Sequence, residues 1–170
     1  MDPRYPVGTF THDPNVTPEK RQAWITELAA LPGHLRAALA LVPPGGYDRT
    51  YRDGGWTIRQ IVHHVADSHL NAYTRMKLAL TEDNPTIKTY DEAAWARLRD
   101  GQDADPLVSL QLLDALHQRW VILLSSLEAA HFARTAQHPE WGPISVDWLL
   151  QLYAWHSRHH VGHVKLAAAR

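Results

Sequence analysis

The chain has 170 residues, 45% of them apolar, enough for one sizeable core and a squeeze for two, so residues 1–170 are read as a single domain. Seventeen Lys and Arg against eighteen Asp and Glu leave a formal charge of -1, which encodes no general attraction to nucleic acid or to an acidic membrane. The absence of cysteine excludes disulfides, cysteine-based zinc sites, Fe–S clusters and a thiol nucleophile of the chain's own.

The N-terminal Met1-Asp2-Pro3-Arg4-Tyr5-Pro6 lacks the apolar run of a signal peptide. No later stretch approaches the ~18 apolar residues that a membrane span needs. A cytoplasmic protein is expected. Pro3, Pro6, Gly8 and Pro14, set among Tyr5 and Phe10, suit an extended arm lying on the domain.

Thr17-Pro18 predicts a helix start, an N-cap hydroxyl followed by proline at the first helical position, with the helix running to about Leu41. Pro32-Gly33 is a candidate kink or break, and Pro43-Pro44-Gly45-Gly46 is a firm stop. Tyr47 to Gly55 suits a short extended stretch. Thr57-Ile58-Arg59-Gln60 carries the Thr-x-x-Gln capping box, so a second long helix is expected over 57–80. A short helix with Trp95 facing inward is read over Asp91–Asp100. Asp105-Pro106 opens a third long helix, with Leu110, Leu113, Leu116, Trp120, Leu123 and Leu127 recurring every three or four residues. His138 to Pro143 is a loop with room for a short hairpin. Ser145 caps the last long helix, which reaches about Ala168. Four long helices joined by connections long enough to cross the bundle make an all-α four-helix bundle with an extended N-terminal arm.

The chemistry is concentrated in histidine. Twelve occur, about three times an ordinary share, and four stand within eight residues of the last helix: His156, His159, His160 and His163. The i,i+4 pairs His156/His160 and His159/His163 each lie about 40° apart on the helix, so either pair can converge on one metal. The apolar stripe through Leu149, Leu152 and Tyr153 favours His156 and His160. Two imidazoles from one turn make a poorly specified site, so a third ligand is required. The second helix offers His63, His64 and His69. His63 falls opposite Ile61, Val65, Ala72 and Met76, and periodicity favours His69 over His64 as the buried ring. Asp67 is three residues after His64, and either orients an imidazole, serves as a base or is an exposed carboxylate. His12, His34, His117, His131 and His138 read as ordinary loop or flank residues. Most of the seven tryptophans suit the core, with Trp155 and Tyr153 as candidate pocket walls. The motifs of zincin peptidases, serine hydrolases, P-loop NTPases and dinucleotide-binding proteins are absent from the sequence.

The run from Trp56 to His69, Trp-Thr-Ile-Arg-Gln-Ile-Val-His-His-Val-Ala-Asp-Ser-His, resembles the second-helix motif of the DinB superfamily, and within it of the YfiT-like group of metal-dependent hydrolases. Tyr5 to Phe10, Tyr90-Asp91-Glu92 with Trp95, His138-Pro139-Glu140, and Tyr153 through His163 are similar to that group's other signatures, in the same order. The resemblance implies a bundle holding one divalent metal, zinc or nickel, on three histidines. The ligand eight residues after the opening Trp is His64; the pair before x-Gly is His156 and His160. The resemblance thus selects His64 where periodicity selects His69. His163 stands where many members have Gln, which leaves it open as a fourth ligand or as a support for the others.

Three neutral imidazoles leave a metal its full charge and an open position, which lowers the pKa of bound water toward ~7. The resemblance therefore implies a hydrolase acting on a small-molecule substrate. The alternative it implies is an S-transferase or isomerase using a borrowed low-molecular-weight thiol such as bacillithiol or mycothiol. A third reading, from another class, is a non-catalytic, stress-associated bundle with a structural metal. The family also suggests a homodimer.

Overall fold

The computed structural model describes residues 2–170. Thr17 Oγ1 accepts from the Lys20 amide and Pro18 stands at the first position of α1, Pro18–Leu39. The helix is continuous through Pro32-Gly33, where the sequence suggests a break, and it ends two residues before Leu41. Gly46–Asp48 form one 3-10 turn, and the extended stretch expected over 47–55 reduces to a single bridge between Thr50 and Thr57. The capping box forms in full: Gln60 N donates to Thr57 Oγ1 at 3.1 Å and Thr57 N donates to Gln60 Oε1 at 3.1 Å. It opens α2, Ile58–Thr81.

The region 91–100 holds two short helices, α3 (Glu92–Trp95) and α4 (Arg99–Asp103), in place of the one expected. Trp95 does not face inward; it is 39% exposed and its ring leans on Tyr90 at 4.4 Å. Asp105 caps α5, Pro106–Ser125, whose inward stripe is Leu110, Leu113, Leu116, His117, Trp120 and Leu124. Leu127 lies beyond the helix end but still packs on the core. After α6 (Ala129–Phe132), the antiparallel strands β1 (Thr135–His138) and β2 (Gly142–Ser145) form the hairpin, with Thr135 opposite Ser145. Ser145 Oγ accepts from the Trp148 amide and starts α7, Val146–Ala168.

The four long helices form a square in which α5 and α7 each pack against both α1 and α2. The α1–α2 connection therefore crosses the bundle diagonal. Two apolar layers fill the interior. One contains Leu28, Met76, Trp120, Leu124 and Leu149; the other contains Leu35, Ile61, Val65, Leu113 and Val164. On α2, α5 and α7 the change from one layer to the other occurs at histidine: His69 between Ala66 and Ala72, His117 between Leu113 and Trp120, and His156 and His160 between Tyr153 and Val161. A polar stratum thus crosses the bundle between its two cores.

The N-terminal arm runs along α7. Gln151 exchanges hydrogen bonds with the Asp13 backbone, at 2.9 and 3.2 Å, and Trp155 Nε1 donates to Gly8 O at 3.1 Å. No helix among the described residues is long and apolar enough to cross a membrane.

Candidate metal centre

His64 from α2 and His156 and His160 from α7 meet in the polar stratum, with one nitrogen of each within 4.8 Å of the others. Their rings are 4.4 to 5.4 Å apart, centroid to centroid. The Nε2 atoms of His64 and His156 are 3.3 Å apart. Two nitrogens at 2.0–2.1 Å from one tetrahedral ion stand about 3.3 Å apart, so the spacing suits a shared divalent cation. Trp56, eight residues before His64, packs its ring on that imidazole at 4.7 Å.

Burial holds the set in the basic form that a metal requires. It lowers the His64 pKa to about 4, with the neighbouring His159 and His163 adding to the effect, and it holds His156 and His160 well below their ordinary value. The set is then three neutral imidazoles with no carboxylate among them.

A second group, His159, His160 and His163, lies equally close together and shares His160 with the first. Its nitrogens are differently occupied. His163 Nε2 is 3.3 Å from Arg4 O, Tyr51 packs on the His163 ring at 4.1 Å, and Trp155 stacks on His159 at 4.4 Å. All three residues come from one helix turn, and Arg4 and Arg52 line the same hollow. His159 Nδ1 is buried and has no hydrogen-bond partner among the described residues.

The remaining histidines are placed as follows. His69 is fully buried, as its position in the apolar stripe suggests, but it sits behind His156 and does not join the three. His63 is also buried, although its position on the wheel points away from the core. Its Nδ1 lies 2.7 Å from Ser109 Oγ and its Nε2 lies 3.1 Å from Ala104 O, which pins the α4–α5 junction to α2. His117 is not a flank residue: it is 2% exposed and touches His69. His138 is buried too, and its Nδ1 accepts from the Glu140 and Trp141 amides. Asp67 is half-buried beside Asp100, and burial with that neighbour pushes its carboxyl up to about 6. It lines neither hollow around the three histidines.

Two hollows flank His156. One, of about 480 Å³, is walled by Arg52, Trp56, Trp155 and His159; the other, of about 340 Å³, by Arg75, Tyr90, His138 and Tyr153. His156 and Glu92 line both. Trp155 and Tyr153 are pocket walls as the sequence suggests; Trp56, Tyr51, Tyr90 and Trp141 are walls that it did not single out.

The geometry has close counterparts. A protein of Halalkalibacterium halodurans, provisionally named a metal-dependent hydrolase, is 45% identical over 170 residues, covering 100% of this chain and 99% of its own length. A protein of Bacillus cereus with the same provisional name is 50% identical over 164 residues, 96% of this chain and 94% of its own. The solved structure of YfiT from Bacillus subtilis, described on the same provisional basis as a metal-dependent hydrolase with an unusual four-helix bundle topology, superposes with a TM-score of 0.95 at 43% identity. It covers 100% of this chain and 98% of that one. A mycothiol-dependent maleylpyruvate isomerase shares the fold at a TM-score of 0.71 and 16% identity, over 91% of this chain and 63% of that one. The DinB superfamily model matches residues 21–164, and with these relatives it establishes that the chain belongs to the DinB superfamily.

Proposed function

We propose that this chain is a metal-dependent hydrolase of a small electrophilic substrate, with His64, His156 and His160 holding one divalent ion, Zn²⁺ or Ni²⁺. The observation that carries the reading is the convergence of three neutral imidazoles from two helices at metal-ligand spacing, His64 and His160 buried and His156 partly so. Relatives of nearly full-length match, provisionally named for such an activity, support it. When bound on three neutral ligands, the ion supplies an undiminished positive charge that acidifies water toward neutral pH and polarises an electrophile.

The surrounding residues shape where a substrate sits. His156 stands at the junction of the two hollows, so a molecule entering either one meets it. Trp56 and Trp155 wall one approach and Tyr153 the other, restricting bulk water around the reacting centre. On the second approach Arg75 donates from Nη2 to Lys88 O at 2.7 Å, while its Nε and the Tyr90 hydroxyl have no partner among the described residues.

The set His159/His160/His163 is the weaker metal site, because a nitrogen of His163 already faces the Arg4 carbonyl and all three rings come from one stretch of α7. The S-transfer reading needs a borrowed thiol, since the chain has no cysteine. The likeness to the mycothiol-dependent isomerase speaks for the fold alone.

Elemental mass spectrometry on untagged protein, beside His64→Ala, His156→Ala and His69→Ala, tests the site. The expected result is about one metal per chain in wild type, lost in the first two variants and retained, at weaker affinity, in the third. Wild type that takes up no metal overturns the reading. Metal-dependent thiol conjugation without hydrolysis transfers it to the S-transferase.

A further inference from the structure

The histidine site does not end at its three members. His156 Nδ1 is 3.1 Å from His69 Nε2, His69 Nδ1 is 3.0 Å from His117 Nε2, and His117 Nδ1 is 2.6 Å from the Leu28 carbonyl. The row passes from α7 through α2 and α5 to α1, touching all four long helices. His69 and His117 are 0% and 2% exposed, so water does not complete these bonds. On the other side, His160 Nδ1 is 3.3 Å from His163 Nδ1, and His163 Nε2 is 3.3 Å from the Arg4 carbonyl.

A backbone carbonyl can only accept a hydrogen bond, and a neutral imidazole has one N–H and one lone pair. The protons along each row are therefore determined from its end. Leu28 O requires an Nδ1–H on His117, whose Nε2 then accepts from His69 Nδ1–H, and His69 Nε2 in turn accepts from His156 Nδ1–H. The last ring is left with a bare Nε2, the atom 3.3 Å from His64 Nε2. In the same way Arg4 O requires an Nε2–H on His163; its Nδ1 accepts from His160 Nδ1–H and leaves His160 Nε2 bare. Reversing the first row would set the His117 lone pair against the Leu28 oxygen at 2.6 Å. A doubly protonated ring would relieve that clash only by burying a charge. Both rings are enclosed, His69 at 0% and His117 at 2% exposure, where an unpaired charge is costly.

We propose that His69, His117 and His163 are positioning residues through which two backbone carbonyls, those of Leu28 and Arg4, fix the Nδ1–H tautomers of His156 and His160 and aim both Nε2 lone pairs at the metal. The inference rests on the assignment of these two residues as ligands. Ring walls help hold the first row in place: Tyr153 and Trp120 meet His69 edge-on at 5.1 and 5.7 Å. A ligand imidazole whose other nitrogen donates to a fixed acceptor is oriented before the metal arrives and is more basic toward it.

Long-range ¹H–¹⁵N NMR of the imidazoles in the full, metal-stripped chain reads the tautomers directly and needs no variant. The expected result is Nδ1–H on His117, His69, His156 and His160, and Nε2–H on His163. His156 found as Nε2–H overturns the proposal. In His117→Leu the His156 tautomer becomes mixed and affinity for Zn²⁺ falls 10–100-fold. His117→Gln, whose amide oxygen still accepts from His69 Nδ1–H, recovers most of both; a merely structural role would move stability alike in the two variants and leave the tautomer unchanged. His117→Leu that binds Zn²⁺ as wild type does, with His156 still Nδ1–H, also overturns it. Wild type that shows the expected tautomers but takes up neither Zn²⁺ nor Ni²⁺ overturns the metal reading and leaves the tautomer relay standing.

Discussion

Pro6 lies directly against the backbone of Gly162: a Cβ on that glycine would stand 2.8 Å from Pro6 Cγ and 2.9 Å from Pro6 Cβ. The glycine that follows His160 by two residues is thus the point at which the N-terminal arm crosses α7. The crossing brings the Arg4 carbonyl to His163 and makes the arm one wall of the hollow over the three-histidine site. A proline ring is stiff, so an added methyl displaces the arm.

The same substitution at two glycines should therefore act differently. Gly33→Ala, exposed in α1 with nothing beyond its own stretch of helix within 4 Å of its Cβ, should stabilise the chain by about 0.5–1 kcal/mol through helix propensity alone. Gly162→Ala should lose that gain and free the arm, making residues 2–12 sensitive to limited proteolysis while the helical circular dichroism stays unchanged. An arm equally protected in both variants would show that the contact at Pro6 does not hold it.

His63 and His64 are adjacent and both buried, yet they should respond differently to alanine. His63→Ala strips Ser109 Oγ and Ala104 O of a buried partner and should cost about 1–3 kcal/mol in chemical denaturation with the metal content intact. His64→Ala removes an imidazole that burial makes costly to protonate, so it should abolish metal uptake with a smaller loss of stability. Loss of metal in His63→Ala at unchanged stability would contradict the division of labour between the two rings.

The metal-free chain should be destabilised by acid well above the usual carboxylate range. His64 and His117 have folded pKa values near 4 against 6.5 when unfolded, so between those limits the unfolded chain binds more protons than the folded one. Stability is then fully present above pH 6.5 and declines as pH falls toward 4, by up to about 3 kcal/mol for the buried His117 alone. Denaturant midpoints of chelator-treated protein at pH 7.5, 6.0 and 4.5 should fall in that order, with a shallower slope in His117→Leu. A flat profile would mean that the folded and unfolded chains take up protons alike over this range, against the burial of these rings in neutral form.

The sequence made legible the parts governed by local rules. The hydroxyl caps at Thr17 and Ser145 and the Thr57–Gln60 box start their helices where the side chains can satisfy free amides, and those starts hold to within a residue. His156 and His160 could be chosen by the apolar stripe because a single helix carries both. His117 was also visible in principle, since it occupies the inward stripe between Leu113 and Trp120, but its polar type argued for a flank. What periodicity does not carry is the partner: only the packing of four helices brings Leu28, His117, His69 and His156 into one row. The inward placement of Trp95 fails because a helix of four residues has no period from which to derive a face.

Removing the metal should leave the bundle folded. The layer around Trp120, Leu124 and Leu149 and the layer around Ile61, Leu113 and Val164 are each fully buried and close without the histidines between them. Chelator-stripped protein should therefore melt cooperatively. Adding Zn²⁺ at 100 times its Kd should stabilise it by about 2.7 kcal/mol, a rise of roughly 5–10 °C in Tm for a chain of this size. In His156→Ala that rise should vanish while the metal-free Tm remains measurable. A stripped wild-type chain without a cooperative melt would instead make the ion part of the fold, as in small domains that exist only when loaded, and would favour a structural metal over a catalytic one.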